Sequence, residues 1–382
     1  MKRTRLKART SHREVLEALR ERIVAGELSP GVRLPTHLEL RRQFATTAAT
    51  TQRALDELAG EGFILARGRA GTFVAERPPH RYRFGLAFPD DPARSSRWVS
   101  MWRAMEAEAR RLNVAGTREI KIYYDVSDAD SSGRRALIED TKSNCLAGIF
   151  LANRFDPELL KQLQSAERRI PLAQLSSVAH PGVIHVRTGL YMSKVLDHLK
   201  ASGRKRIGLI LSSLHGPVET VWKRLLDERR LRYEPYWTVS VHPAHPEPAR
   251  KAAYLMLQQP PDQRPDALIV TDDYLVETAT AGVLDSGAKA EAIEVIAHCN
   301  FPLPPASHVP VTRIGYDMPA LLNKVLHVLD EKAAGRLANT REVVAEALFE
   351  HELSSTILAP ASSGHGVAMD MPAPPQPAFT FG

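Results

Sequence analysis

The residues best equipped for chemistry lie in the first fifth of the chain. Arg41, Arg42, Arg53, Arg67 and Arg69 can pair with phosphate oxygens, and Thr47-Ala48-Ala49-Thr50 with Gln52 are small or polar enough to approach base edges. Residues 1–78 hold 15 Lys and Arg against 9 Asp and Glu, whereas the rest of the 382-residue chain holds 36 against 35. Nearly all of the +7 formal charge therefore belongs to one small unit, which suits a polyanionic partner such as double-stranded DNA.

The elements that position these residues can be read from caps and periodicity. Ser11 and Glu14 form a capping-box pattern ahead of Val15, Leu19 and Ile23, and Gly26 and Pro30 close that helix. Thr36 with Glu39 opens a second, short helix to about Phe44, and Thr47 caps a third that carries Ala54, Leu55 and Leu58 inward. Two short strands, Phe63–Leu65 and Thr72–Val74, flank the basic tip Arg67-Gly68-Arg69-Ala70-Gly71. Helix, short helix, helix and hairpin make a winged helix-turn-helix. Its expected contacts are Thr36, Arg41, Thr47, Ala48, Ala49, Thr50, Gln52, Arg53, Arg67, Arg69 and Gly71.

The string GELSPGVRLPTHLELRRQF, followed by TTQRALDELAGEGFILARGRAGTFV, resembles the DNA-binding domain of GntR-type transcription regulators over about residues 11–75. The resemblance implies arginines at the positions of Leu38 and Ala48 and another at Gln52, and all three are replaced here; Arg53 matches. Each missing guanine contact removes about 1–3 kcal/mol of base discrimination. Gln52 can instead read adenine, and Ala48 or Ala49 can meet a thymine methyl, giving an altered operator; the alternative is a degenerate reader. The arm at residues 1–10, with Lys2, Arg3, Arg5, Lys7 and Arg9, either follows the DNA backbone or is a solvated terminus.

After a stiff linker at residues 77–80, strand and helix signals alternate. Apolar runs at Phe84–Phe88, Ile120–Tyr124, Gly148–Ala152, Pro171–Leu175, Ile207–Leu211, Ala267–Val270 and Ile293–Ala297 are separated by amphipathic helical stretches. That pattern predicts parallel sheets covered by helices, and the length predicts two α/β lobes. The stretches RFGLAFPDD, VLDHLKASGRKRIGLI and RPDALIVTDDYLVETATAGVLDSGAK resemble the sensor domain of LacI-type regulators, relatives of periplasmic sugar-binding proteins. The resemblance implies three crossovers, a small-molecule cleft between the lobes and a homodimer.

Clefts in open α/β sheets lie at the carboxyl ends of strands. This nominates Asp90 and Trp98, Asn153 and Arg154, Ser212 and Ser213, and Asp272, Asp273 and Asn300. Asp273 is either a ligand-hydroxyl partner, as the resemblance implies, or a helix N-cap; Trp98 either stacks on a sugar or packs. Two positions depart from the LacI pattern: Arg187 replaces its aspartate and Val218 its ligand-holding arginine. The effector is then an acidic or phosphorylated sugar held by Arg187 or Arg154, a different metabolite, or absent.

Other classes lack support. There is no GxxxxGK[ST], HExxH or GxSxG string, so no enzyme is expected. His242 and His245 read as a solvated loop, and His298-Cys299 as packing. Cys145 and Cys299 have no ligand spacing, so neither a metal nor a disulfide is expected, and no cofactor is implied. No apolar run is long enough to span a membrane, and none follows the basic N-terminus as in a secretory signal; the two unpaired cysteines fit a reducing cytoplasm. The expected plan is an arm (1–10), a winged helix-turn-helix (11–76), the linker, a two-lobed α/β effector and dimerisation domain (81–357) and a flexible tail (358–382) holding Phe379 and Phe381. The expected function is a DNA-binding repressor controlled by a sugar-like effector; the alternative is a metabolite-binding protein with a vestigial DNA unit.

Overall fold

The computed structural model describes residues 10–94, 99–116, 118–166, 168–176, 178–188, 191–212, 216–242, 245–289, 291–337 and 342–353. The basic arm, Trp98, Ser213 and residues 354–382 lie outside them, apart from Thr10 of the arm.

Three helices open the fold. α1 (His12–Val24) and α2 (His37–Gln43) each begin with the expected reciprocal capping box, Ser11 with Glu14 and Thr36 with Glu39. α3 (Ala48–Glu61) is capped by Thr47, runs through Gly60 and Glu61, and stops at Gly62, whose φ of 91° lies in the left-handed region. Val15, Leu19, Ile23, Leu40, Leu58 and Phe63 close the small core between them. β1 (Ile64–Ala66) and β2 (Thr72–Val74) pair antiparallel as the wing, and Arg33 bridges to Phe73 on its outer side.

The connection is more ordered than a stiff linker. Residues 79–82 form a single helical turn, α4 (Pro79–Tyr82), because Pro79 occupies the first turn without needing a donor. His80 is buried there and stacks on Phe63 of the DNA-binding domain with ring centroids 5.9 Å apart.

The remaining elements are β3 (Arg83–Ala87), α5 (Ser100–Val114), β4 (Glu119–Tyr123), α6 (Ser132–Lys142), β5 (Gly148–Leu151), α7 (Pro157–Gln164), β6 (Leu172–Leu175) and β7 (Ile184–Thr188). They continue with α8 (Tyr191–Ala201), β8 (Ile207–Leu211), α9 (Gly216–Arg229), β9 (Thr238–Ser240), α10 (Glu247–Leu257), β10 (Ala267–Val270) and α11 (Asp273–Asp285). Last come β11 (Glu294–Phe301), β12 (Thr312–Asp317), α12 (Met318–Ala333), β13 (Glu342–Ala345) and β14 (Leu348–Phe349).

Two six-stranded sheets result. The first lobe has the order β13-β7-β6-β5-β3-β4, all parallel; the second has β14-β12-β11-β10-β8-β9, parallel except for β14. The chain crosses between them three times, after β7, after β12 and after β13, and α12 packs back on the first lobe beside α5. The fully buried strands Gly148–Leu151 and Ile207–Leu211 explain the continuous apolar runs seen in the sequence. One apolar cluster, from Phe84 and Phe150 to Leu209 and Ile314, is continuous through both lobes.

Candidate nucleic-acid interface and effector cleft

The start of α3 is tightly organised. Thr47 Oγ1 lies 2.8 Å from Thr50 Oγ1 and accepts the Thr50 N–H, while buried Thr51 donates its hydroxyl back to the Thr47 carbonyl at 3.0 Å. Ala48, Ala49, Gln52 and Arg53 are left on the exposed face. Gln52 is not free to read a base, however: its amide nitrogen donates to Asp56 one turn on, at 2.7 Å. Adenine readout by Gln52 requires that bond to open. Thr36 likewise spends its hydroxyl on Glu39, at 2.8 Å, so it serves the helix rather than standing free for DNA. Leu38, at 52% exposure, presents an apolar side chain where the resemblance puts an arginine.

The wing keeps its cations outward. Arg67 lies over the Phe73 ring, 4.9 Å from its centroid, and 3.6 Å from Glu76; Arg69 is exposed at the tip. Gly71 has φ of 106°, and a Cβ there would meet Arg33 Nε at 2.7 Å. Arg33 thus supports the wing, a role that no local motif signals. Arg41, Arg42 and Arg53 are exposed on the two helices.

At the carboxyl ends of the second-lobe strands, Asp272 Oδ2 accepts the Ser212 N–H at 2.9 Å. Asp273 is the first residue of α11, not its cap, and its Oδ2 accepts from Asn300 Nδ2 at 2.9 Å. Both members of that pair are buried. His298 follows the same face of β11 and contacts Tyr191 edge-on, centroids 5.3 Å apart, with Tyr316 at 5.7 Å. Burial pushes the His298 pKa down against the opposing pull of Asp273 and Asp272, so a neutral imidazole is favoured. The buried Tyr191 hydroxyl has no hydrogen-bond partner among the described residues. Asp273, Asn300, His298 and Tyr191 form a polar string near these strand ends. The sequence reading missed Tyr191, which no motif marks, and took His298 as packing alone.

In the first lobe Asp90 follows β3, and Asn153 and Arg154 follow β5, at the same end of the sheet. Asn153 Oδ1 accepts the Arg154 N–H at 2.7 Å, which turns the loop and leaves the guanidinium exposed. Trp102, a turn beyond Trp98, is buried and donates to the Ala152 carbonyl at 3.1 Å. Arg187 is already paired: its Nε and Nη2 donate to Glu342 across the β7–β13 pair, with Nη2–Oε2 at 3.2 Å, which neutralises its charge. Among the described residues no cluster of three or more His, Cys, Asp or Glu is placed to hold a metal.

The family model described as "Bacterial regulatory proteins, gntR family" matches residues 11–74, the segment that folds into α1–α3 and the wing. Residues 11–74 are a gntR-family helix-turn-helix domain. Relatives include the histidine utilization repressor of Klebsiella aerogenes, 40% identical over 65 residues, which are 17% of this chain and 27% of that protein. The HTH-type transcriptional repressor NagR of Bacillus subtilis is 33% identical over 79 residues, 20% of this chain and 32% of NagR. The chain therefore spans about a third or less of these relatives' length.

The two-lobed part has LacI-type neighbours. A regulatory protein of LacI family from Chloroflexus aggregans superposes with a TM-score of 0.56 at 14% identity, covering 70% of this chain and 96% of that one. A LacI family transcriptional regulator from Lactobacillus casei, solved with bound glucose, gives 0.51 at 16% identity, covering 70% and 97%. At such identities the likeness establishes the fold. The chain thus joins a gntR-family helix-turn-helix domain to a two-lobed α/β fold like that of these neighbours. No helix among the described residues is long and apolar enough to cross a membrane.

Proposed function

We propose that the protein is a DNA-binding transcriptional repressor whose operator affinity is set by a neutral, sugar-like effector held between the lobes. The observation that carries the reading is the direct docking of a basic winged helix on a fold whose strand ends present hydroxyl-binding groups. Asp273 and Asn300 offer a charged acceptor and an amide suited to sugar hydroxyls. With Arg187 paired to Glu342, the strand-end carboxylates Asp90, Asp272 and Asp273 outnumber the one cation that follows a strand at those ends, Arg154. That balance favours a neutral polyol over an acidic or phosphorylated sugar at this position. An effector that binds one lobe arrangement better shifts the operator affinity by its differential affinity for the two states.

A homodimer in the cytoplasm fits the reading. Leu255 and Leu284 are 62% and 56% exposed on the packed helices α10 and α11, apolar positions that self-association would cover. Exposed Leu38 and the Gln52–Asp56 bond favour a second reading, a metabolite-binding protein whose DNA unit is weakened.

Selection from random DNA by the full chain, followed by titration against salt, separates the two. A repressor yields an enriched near-palindromic site and a steep salt dependence with a sequence-specific remainder. Sequence-independent retention alone overturns the proposal. A thermal-shift screen with neutral sugars and sugar phosphates tests the effector class: at 100 times its Kd a ligand adds about 2.7 kcal/mol of stability.

A further inference from the structure

A cavity of about 780 Å³ opens where the connection meets the first lobe, walled by Gly60 from α3, residues of α4 and the edge formed by α5 and β4. Its cations are Arg77, Arg81, Arg83, Arg118 and Lys121, against the two carboxylates Glu119 and Asp330. Three of the five are already neutralised. Arg83 pairs with Glu119 at 2.5 Å, Arg118 with Asp330 at 2.9 Å, and Lys121 with Asp140, outside the cavity wall, at 2.5 Å.

Arg77 and Arg81 are different. Arg77 donates to the Gly116 carbonyl at 3.2 Å and lies over the Tyr82 ring, and neither it nor Arg81 has a carboxylate partner among the described residues. Half-buried Arg168 does not line the cavity but adds positive charge near Arg81: burial and the charge of Arg81 both pull its pKa down, and it donates to the His80 carbonyl at 3.0 Å. Like charges gathered beside a buried, neutral imidazole are a costly arrangement that an anion relieves. The guanidinium fork is matched to phosphate oxygens, and the volume lies within the range of about 300–1,000 Å³ usual for small-molecule sites.

We propose that this cavity binds a small, multiply charged anion, a phosphorylated metabolite, gripped by Arg77 and Arg81 at the joint between reading head and sensor. The site is separate from the interlobe cleft, and the proposal does not depend on the effector reading above. Duplex phosphates do not account for it. Gly60 lies 13 residues along α3 from Thr47, about 20 Å at 1.5 Å per residue, so the cavity sits at the end of the recognition helix remote from its reading face.

The test uses the full chain with inorganic pyrophosphate as probe, by isothermal titration at ionic strength matched with NaCl. The expected result is saturable binding that weakens about tenfold or more in the double variant R77Q/R81Q, while R69Q on the wing leaves it unchanged. R81K, keeping charge but losing the fork, is expected to fall between. Both arginines are exposed, so the fold is expected to survive, and a thermal melt of each variant checks it. No binding beyond matched NaCl, or undiminished binding by R77Q/R81Q, overturns the proposal. A DNA salt slope reduced by about 2 in R77Q/R81Q also overturns it, since the cations would then serve the duplex.

Discussion

Arg20 of α1 and Glu61 of α3 form a two-point ion pair, Nε to Oε2 at 3.1 Å and Nη2 to Oε1 at 2.5 Å. Arg20 is 7% exposed, and the same Glu61 gives its backbone carbonyl to Arg83 Nη1 at 2.9 Å. One residue therefore ties α3 both to its own domain and to β3. Burial raises the Glu61 pKa despite Arg20, so desolvation offsets much of what the pair contributes. Breaking it is another matter. Glu61→Ala strands a buried guanidinium and is expected to cost about 3 kcal/mol. Urea denaturation followed by far-UV circular dichroism checks this, and a change below the error of extrapolation would refute it.

The junction is expected to weaken in acid. Burial, with the charges of Arg168 and Arg81, depresses the His80 pKa to about 4, below its unfolded value near 6.5. The unfolded state then binds the proton first. Stability is fully present above pH 6.5 and is lost as pH falls toward 4, by about 2 kcal/mol at pH 4.5. His80→Phe, which keeps a ring against Phe63, should flatten this part of the profile of melting temperature against pH.

Gly71→Ala is expected to disable the wing and spare the core. The φ of 106° strains any side chain, and the new methyl would press on Arg33. The local cost is about 1–2 kcal/mol. Fluorescence anisotropy with duplex DNA should report weaker binding, while the melting of the two lobes stays within a degree or so of the parent.

Asn300→Ala removes the amide that satisfies buried Asp273, leaving the Tyr274 N–H as the bond to that carboxylate among the described residues. A loss of about 1–3 kcal/mol is expected in denaturant unfolding. If the Asp273–Asn300 pair holds the effector, any sugar that stabilises the parent should fail to stabilise this variant.

The caps and the α/β alternation were legible because they are local. Ser11-x-x-Glu14, Thr36-x-x-Glu39 and Thr47 place three helix starts, and the apolar runs place seven of the strands of the two sheets. β7, β9, β12, β13 and β14 escaped. β9 and β14 are edge strands of three and two residues, and β7 and β12 interleave His185, Arg187, Arg313 and Asp317 with apolar residues. The candidate site divides the same way. The Gln52–Asp56 bond spans one helical turn and lies within reach of sequence rules, whereas Arg187 meets Glu342 from 155 positions away. Only the fold can reveal that its charge is already spent. His80 shows the same limit: beside two prolines it reads as spacer, and its stacking on Phe63 is a tertiary event.

If the chain is the dimeric repressor proposed above, the Arg83 bond to the Glu61 carbonyl has a consequence for operator geometry. A reading head swinging on a loose tether accommodates half-sites at many spacings; one hooked to its sensor has little torsional slack. In a dimer of such chains, one inserted base pair turns one half-site against the other by about 35°. Spacing between half-sites would then be read as strictly as sequence, with Arg83 as the part that enforces it.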